Sequence, residues 1–334
     1  MLSALAPSPY EVVEVPLSAR ASGERTWHLP GRLVGDLARV ARAPGPLHGI
    51  HLVGQYRRAL PREAAIAMVA RARRVPFLYH IKAGSFVDFA TSASGPIRAA
   101  TLAMLHGARV VLTEGREVAE WLNAEHGIGA RWFPNFVPAD AVPVEPPPLF
   151  PGPTLRVLFV GTCYAEKGVL DLLDAVDQLQ REGRRVTVTF VGSPSEAFTA
   201  KADAMPHLGA IRLGVLPHAQ VVAQMASCDV FAMPTRHPGE GHTNAVNEAM
   251  AAGRAIVCTR HGFLPSILEG AAVFMEGHGP TPLAAALRTV DDDRAAAAGL
   301  ARRARARLLA EFHADVARPR LAAAYDALTS ADGA

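Results

Sequence analysis

Residues 227–262, Ser-Cys-Asp-Val-Phe-Ala-Met-Pro-Thr-Arg-His-Pro-Gly-Glu-Gly-His-Thr-Asn-Ala-Val-Asn-Glu-Ala-Met-Ala-Ala-Gly-Arg-Ala-Ile-Val-Cys-Thr-Arg-His-Gly, decide the fold. Val230–Met233 is a short apolar strand, Pro234–Thr243 a turn-rich loop, Asn244–Ala252 a helix and Ala255–Thr259 a second strand. Asn244 is the expected N-cap, Gly253 the expected stop, and Val246, Ala249 and Met250 form the apolar stripe that lies on a sheet. Glu240 and Glu248 fall outside that stripe and are expected to point at a ligand. The N–H groups of Gly241, His242, Thr243 and Asn244 lead into the positive end of the helix dipole, which favours an anion such as a diphosphate. Two carboxylates beside an anion site suit a nucleotide-sugar, because they accept hydrogen bonds from sugar and ribose hydroxyls.

Outside this segment, strand and helix patterns alternate along the chain, which predicts an α/β layered fold with parallel sheets. Strands are expected at 10–15, 49–54, 75–81, 108–113, 155–160, 186–191 and 211–214. Helices are expected at 33–43, 62–73, 95–106, 116–126, 169–180, 218–226, 281–290, 294–311 and 314–328. Pro143–Pro153 holds six prolines in eleven residues and reads as a stiff linker between two domains. The expected division is 1–142, the linker 143–153, 154–312, and a last helix in 313–334.

The chain has 334 residues, half of them hydrophobic, with a net charge of +3 and only 6% aromatic residues. Without a long basic run, this balance argues against a dedicated nucleic-acid binder. Cys163, Cys228 and Cys258 are odd in number and far apart, which suits a reducing cytosol. No signal peptide or membrane-spanning run is legible, so the expected setting is cytoplasmic, with room for peripheral contact at the inner face of a membrane.

Glu240–Gly253, EGHTNAVNEAMAAG, resembles the Glu-x7-Glu signature of the retaining GT-B glycosyltransferases of family four, the glycosyl transferases group 1. The likeness is strong from Val157 to Gly277 and weak before Pro134, where Arg131–Val137 resembles the family's Pro-Asn motif. It implies two Rossmann-like, doubly wound domains facing a cleft, with the C-terminal helix crossing back to the first. It further implies a nucleotide-sugar donor, a sugar-containing or lipid-linked acceptor, retention of configuration, and no metal or other cofactor.

Carried onto this chain, the resemblance gives Gly161, Thr162, Lys167, Gly241, His242, Thr243, Asn244 and Glu248 to the donor, and Glu240 to the sugar. Lys167 would neutralise the diphosphate in place of a metal. Thr162 departs from the family, which has an arginine there, and Arg236 is the nearest basic residue to the central loop. His80 ends a strand where the family carries a histidine near the anomeric carbon, and it is the catalytic candidate of the first domain. A histidine in that place is more often structural. For His242 the expected contribution is its backbone N–H.

Asp291-Asp292-Asp293 reads as a loop and helix cap rather than a metal site. Arg302, Arg303, Arg305 and Arg307, with Arg71, Arg73 and Arg74, read as solvated helix faces, with contact to anionic lipid as the alternative. Two further functional readings stand beside the transferase: a nucleotide-sugar epimerase-like enzyme, and a catalytically impaired sugar-nucleotide-binding protein for which Thr162 speaks. Finally, the strand at Tyr10 looks like the family's second. The first domain is therefore expected to lack its opening strand and Gly-rich turn, either because the start codon lies upstream or in a form impaired in acceptor binding and prone to aggregate.

Overall fold

The structure is a computed structural model that describes residues 10, 35, 38, 40, 47–54, 56–82 and 84–330. The expectations for the missing first strand and for the strand at 10–15 lie outside these residues, apart from Tyr10, which is not in a strand. Of the helix expected at 33–43, Gly35, Ala38 and Val40 are described and helical.

The chain forms two compact units, one of residues 1–134 and 317–334, the other of residues 135–316. In the first, the described strands β1 (Ile50–Gly54), β2 (Phe77–Ile81), β3 (Val110–Thr113) and β4 (Ala130–Trp132) form a parallel sheet in that order. Every residue of β2 and β3 is buried, as expected for strands covered on both faces. The crossovers are α1 (Leu60–Ala72), α2 (Phe86–Ser92) with α3 (Gly95–His106), and α4 (Arg116–His126), which ends on Gly127 in the left-handed conformation.

The second unit is a six-stranded parallel sheet. Its elements run β5 (Leu155–Val160), α5 (Val169–Arg181), β6 (Val186–Val191), α6 (Glu196–Asp203), β7 (Ile211–Arg212), α7 (His218–Ser227) and β8 (Val230–Met233). They continue with α8 (Asn244–Ala251), β9 (Ala255–Cys258), α9 (Leu264–Leu268), β10 (Val273–Phe274), α10 (Pro280–Asp292) and α11 (Arg294–Arg307). The spatial order is β10-β9-β8-β5-β6-β7. The chain thus winds outward from β5 to β7 on one side and from β8 to β10 on the other, so the direction reverses between β5 and β8. Loops leaving the C-terminal ends of two strands at such a reversal diverge to opposite faces and leave a crevice, the usual ligand position in open α/β sheets.

On α5, Val169, Leu172, Leu173, Val176 and Leu179 are buried at helical spacing. Each such side chain contributes about 1.5–3 kcal/mol when taken out of water. After α11 the chain makes a π-helical turn, Leu308–Phe312, and enters α12 (Ala314–Thr329), whose residues from Ala317 onward group with the first unit. The crossing-back that the resemblance implies is therefore present. Asp293 caps α11 by accepting from the Ala296 N–H at 2.8 Å, while Asp291 and Asp292 pair with Arg184. Among the described residues, no helix is long and apolar enough to cross a membrane.

The proline-rich run groups with the second unit, and arginines hold it there. A chain so dense in proline has no internal partners for its carbonyls. Arg305 donates to Pro143 and Val144, Arg254 to Pro147, and Arg294 to Gly152 at 2.6 Å and Pro153 at 2.7 Å. Asp229 accepts from the Phe150 N–H at 2.7 Å and from the Arg156 guanidinium at 2.8 and 2.9 Å. Arg305 and Arg307 do not form a solvated face. Arg305 also reaches the Ala251 carbonyl, and Arg307 donates to the Ser266 and Ile267 carbonyls, leaving Arg302 and Arg303 as the exposed pair.

Candidate donor site in the second unit

The loops after β5 and β8 meet at the reversal of strand order. Gly168 has φ 75° and faces the Pro234 carbonyl so closely that any Cβ would collide with it. Only glycine combines that left-handed conformation with the close approach. The same holds for Gly192 (φ 138°), packed on the main chain of Gly161. The 3-10 turn Ala165–Lys167, closed by Gly168, is thereby pressed against the β8 loop and delivers Lys167 to it.

There Lys167 Nζ lies 2.5 Å from Glu240 Oε2, and Thr235 Oγ1 donates to the same oxygen at 2.7 Å. Glu240, expected to point at a ligand, is only 5% exposed. It is held by a cation and a hydroxyl, both partly or wholly removed from water, where such bonds are short and strong. Arg236 is tied to the neighbouring loop: its N–H donates to the Glu166 carbonyl at 2.7 Å and its guanidinium to Asp171 at 2.6 Å. Thr162 is half-buried at the start of that loop.

Beyond Glu240, the chain enters α8. Thr243 occupies the N-cap position and Asn244 is the first helical residue, with no side-chain cap hydrogen bond, so the expected cap at Asn244 shifts by one residue. His242 is turned inward. Its Nε2 and Asn247 Oδ1 are 2.7 Å apart, its ring stands edge-on to Phe312 at 4.8 Å, and its carbonyl accepts from Asn135 Nδ2. Asn247, fully buried on α8, donates from Nδ2 to the Asn135 carbonyl at 3.2 Å.

Glu248 lies one turn into α8, and its Oε1 is 3.2 Å from His218 Nε2 at the start of α7. Burial pushes the Glu248 carboxyl above its ordinary value, and the His218 contact partly offsets that rise. Lys167, Glu240, the Gly241–Asn244 segment and Glu248 therefore all sit in the second unit, on the β5 and β8 loops and the helix that follows. Asn135, Thr235, His218 and Asn247 complete the arrangement without having been singled out as donor ligands. Asn135 and His218 have a faint signal in the sequence, because they act through partners distant in the chain.

His80 sits elsewhere, in the first unit, and has no exposed surface. The contact with substrate expected of it is not open among the described residues, because Phe133 packs edge-on to its ring at 5.4 Å and His51 Nε2 approaches its Nδ1 to 3.3 Å. His51 Nδ1 in turn meets Tyr325 Oη on α12 at 3.1 Å. Burial, aided by the Lys82 charge, pushes the His51 imidazole down to about 4, and the same causes, with the His51 charge, lower His80 well below its ordinary value.

The folded state therefore takes these protons later than the unfolded chain does. The stability they carry is complete above the unfolded pKa of 6.5 and is lost as pH falls from 6.5 towards 4. For His51 alone the loss is about 3 kcal/mol. Thermal melting followed from pH 7 to 4 is expected to fall steeply through this window, and His51→Gln to flatten the fall; a melting temperature independent of pH would contradict the burial of this pair.

Residues 154–293 match the family described as glycosyl transferases group 1. Glycogen synthase of Mycobacterium tuberculosis is 33% identical over 162 residues, 47% of this chain and 39% of its own length, so the chain spans well under half of that relative. Among solved structures, sucrose-phosphate synthase from Thermosynechococcus elongatus superposes with a TM-score of 0.68 at 18% identity, over 97% of this chain and 87% of its own. Anabaena HepE in complex with UDP-glucose superposes with a TM-score of 0.69 at 17% identity, over 91% of this chain and 84% of its own. With two parallel sheets, a last helix that groups with the first unit and a matched segment that contains the Lys167–Glu240 pair, the chain has the GT-B fold, and its residues 154–293 are similar to the glycosyl transferases group 1.

Proposed function

We propose that the protein is a retaining, metal-independent glycosyltransferase of family four that moves a sugar from a nucleotide-sugar to a sugar-containing or lipid-linked acceptor. The observation that carries the reading is the Lys167–Glu240 pair at the reversal of strand order, with Glu248 eight residues further on the adjoining helix. A diphosphate entering beside α8 meets the Lys167 ammonium and the helix N-terminus. Neutralising the charge that grows on the leaving nucleoside diphosphate lowers the barrier to its departure. As Lys167 turns to phosphate, Glu240 becomes an acceptor for sugar hydroxyls while Thr235 keeps its carboxylate oriented.

Glu248 accepts from the ribose, and its raised pKa weakens that role only towards acid pH, where it takes up a proton. His80, buried in the first unit, is assigned no step. The UDP-glucose bound by the Anabaena protein makes UDP-sugars the first donors to try.

Losing a hydrogen bond to a charged group costs about 1.5–3 kcal/mol. Glu248→Ala is therefore expected to lower kcat/KM for the donor at least about tenfold, read as nucleoside diphosphate release in the presence of acceptor. Unchanged donor kinetics would remove Glu248 from the site. Because Thr162 stands where the family has an arginine, a non-catalytic sugar-nucleotide binder is the second reading, and donor-dependent thermal stabilisation without turnover would favour it. Epimerised or hydrolysed donor as the sole product would favour the epimerase-like reading.

A further inference from the structure

We propose that Asn135 and Asn247 are positioning residues for the diphosphate, acting through His242 to aim the main chain at the start of α8. The inference rests on the donor-site reading above and adds to it the device that holds the phosphate-binding N–H groups in place.

Gly239 and Gly241 flank Glu240, so the segment leading into α8 has wide conformational freedom of its own. His242 is where that freedom ends. The Asn135 side-chain amide donates to its carbonyl, its Nε2 meets Asn247 Oδ1 at 2.7 Å, and Phe312 packs against its ring. Donor and acceptor directions follow from the network. Asn247 Nδ2 donates to the Asn135 carbonyl at 3.2 Å, which leaves Oδ1 as acceptor and makes His242 the Nε2–H tautomer.

The far side is anchored as well. Asn135 is two residues from Val137, whose N–H donates to the Phe312 carbonyl at 2.8 Å and whose carbonyl accepts from Ala314 at 3.0 Å. His242 is therefore held by its carbonyl and by its ring, against one anchored segment.

The consequence lies in the peptide plane. The C=O of His242 and the N–H of Thr243 belong to one trans peptide and point in opposite directions. Drawing the His242 carbonyl inward to Asn135 turns the Thr243 N–H away from the core. This N–H adjoins the first turn of α8, whose leading N–H groups have no intrahelical partner. Asn247 is fully buried and His242 is 2% exposed, so their polar atoms have given up water for this arrangement. Apolar side chains of similar size would fill the same space without that desolvation, but they could not set the direction of the peptide.

The test uses the full-length protein, with UDP, GDP and ADP titrated calorimetrically, and the parent nucleoside of whichever binds followed by ligand-observed NMR. Asn135→Ala, Asn247→Leu and His242→Phe are expected to weaken the nucleoside diphosphate at least tenfold while changing the nucleoside less than threefold. His242→Gln, whose amide can donate from the place of Nε2, is expected to retain affinity within about threefold. Amide exchange at 241–245 is expected to accelerate in the three losing variants and to stay unchanged in β5 and β6.

Variants that bind the diphosphate like wild type would overturn the inference and leave the donor site standing. Equal loss of nucleoside and diphosphate, with a lower melting temperature, would also overturn it by showing a general structural role. A folded wild type that binds none of the three diphosphates would remove the donor-site reading itself, and this inference with it.

Discussion

Lys167→Ala is expected to lower glycosyl transfer by about a hundred- to a thousandfold, the usual effect of deleting one group that stabilises charge developing on a leaving group. Two consequences of the same change have to be separated. The 2.5 Å contact to Glu240 is also a partly buried ion pair, and removing one partner leaves a carboxylate that is 5% exposed with Thr235 as its remaining side-chain donor. Breaking a fully buried pair costs about 3–5 kcal/mol, and the 19% exposure of Lys167 puts this one towards the lower end. A double variant, Lys167→Met with Glu240→Gln, removes both charges and is expected to recover most of the stability but none of the turnover. Measured by donor kinetics and chemical denaturation together, recovery of turnover in the double variant would show that Lys167 serves the fold alone.

Arg254→Met is expected to be the most destabilising single change in the second unit, by about 3–5 kcal/mol in chemical denaturation. The guanidinium is fully buried and serves four carbonyls: Ala252 at 2.7 Å, Cys228 at 2.9 Å, Ala226 at 3.4 Å, and Pro147 in the proline-rich run. Methionine fills comparable space but leaves these acceptors without a donor. Arg254→Lys is expected to rescue little, because a single ammonium cannot reproduce the planar fork that reaches the end of α7, the end of α8 and the linker at once. A loss of less than about 1 kcal/mol would mean that water or neighbouring N–H groups replace the arginine.

The segment from β8 to β9 was legible because each boundary has its own chemistry: an apolar run, Pro234, a glycine-rich loop, an amphipathic helix and Gly253. Gly253 does adopt a positive φ of 66°, as a helix stop requires. The short elements β4, α2 and α6 went unread, since three to eight residues give hydrophobic periodicity too few turns to stand out. Lys167 was legible through the family motif and Glu240 already from its place outside the apolar stripe, but their contact was not, because 73 residues separate them and nothing local announces it.

The way polar residues hold the site was not legible. Asn247 reads as one more polar residue on an amphipathic helix, and Asn135 only as part of the Pro-Asn motif that Arg131–Val137 resembles. Their hydrogen bonds to one another's segments run between residues more than a hundred positions apart. Arg254 and Asp229 were hidden for the same reason: a charged residue beside a strand looks solvated until the proline-rich run is laid over it. His80 is the reverse case: its place near a strand end was legible, but the packing of His51 and Phe133 around its ring was not.

The central claim is that the second unit holds a nucleotide-sugar through Lys167, Glu240, Glu248 and the start of α8. Calorimetric titration of the folded protein with UDP-, GDP- and ADP-sugars tests it most directly. The account predicts binding of one molecule of a single donor class per chain, weakened at least about tenfold in both Lys167→Ala and Glu248→Ala; no binding of any of the three, or binding that both variants leave unchanged, would contradict it.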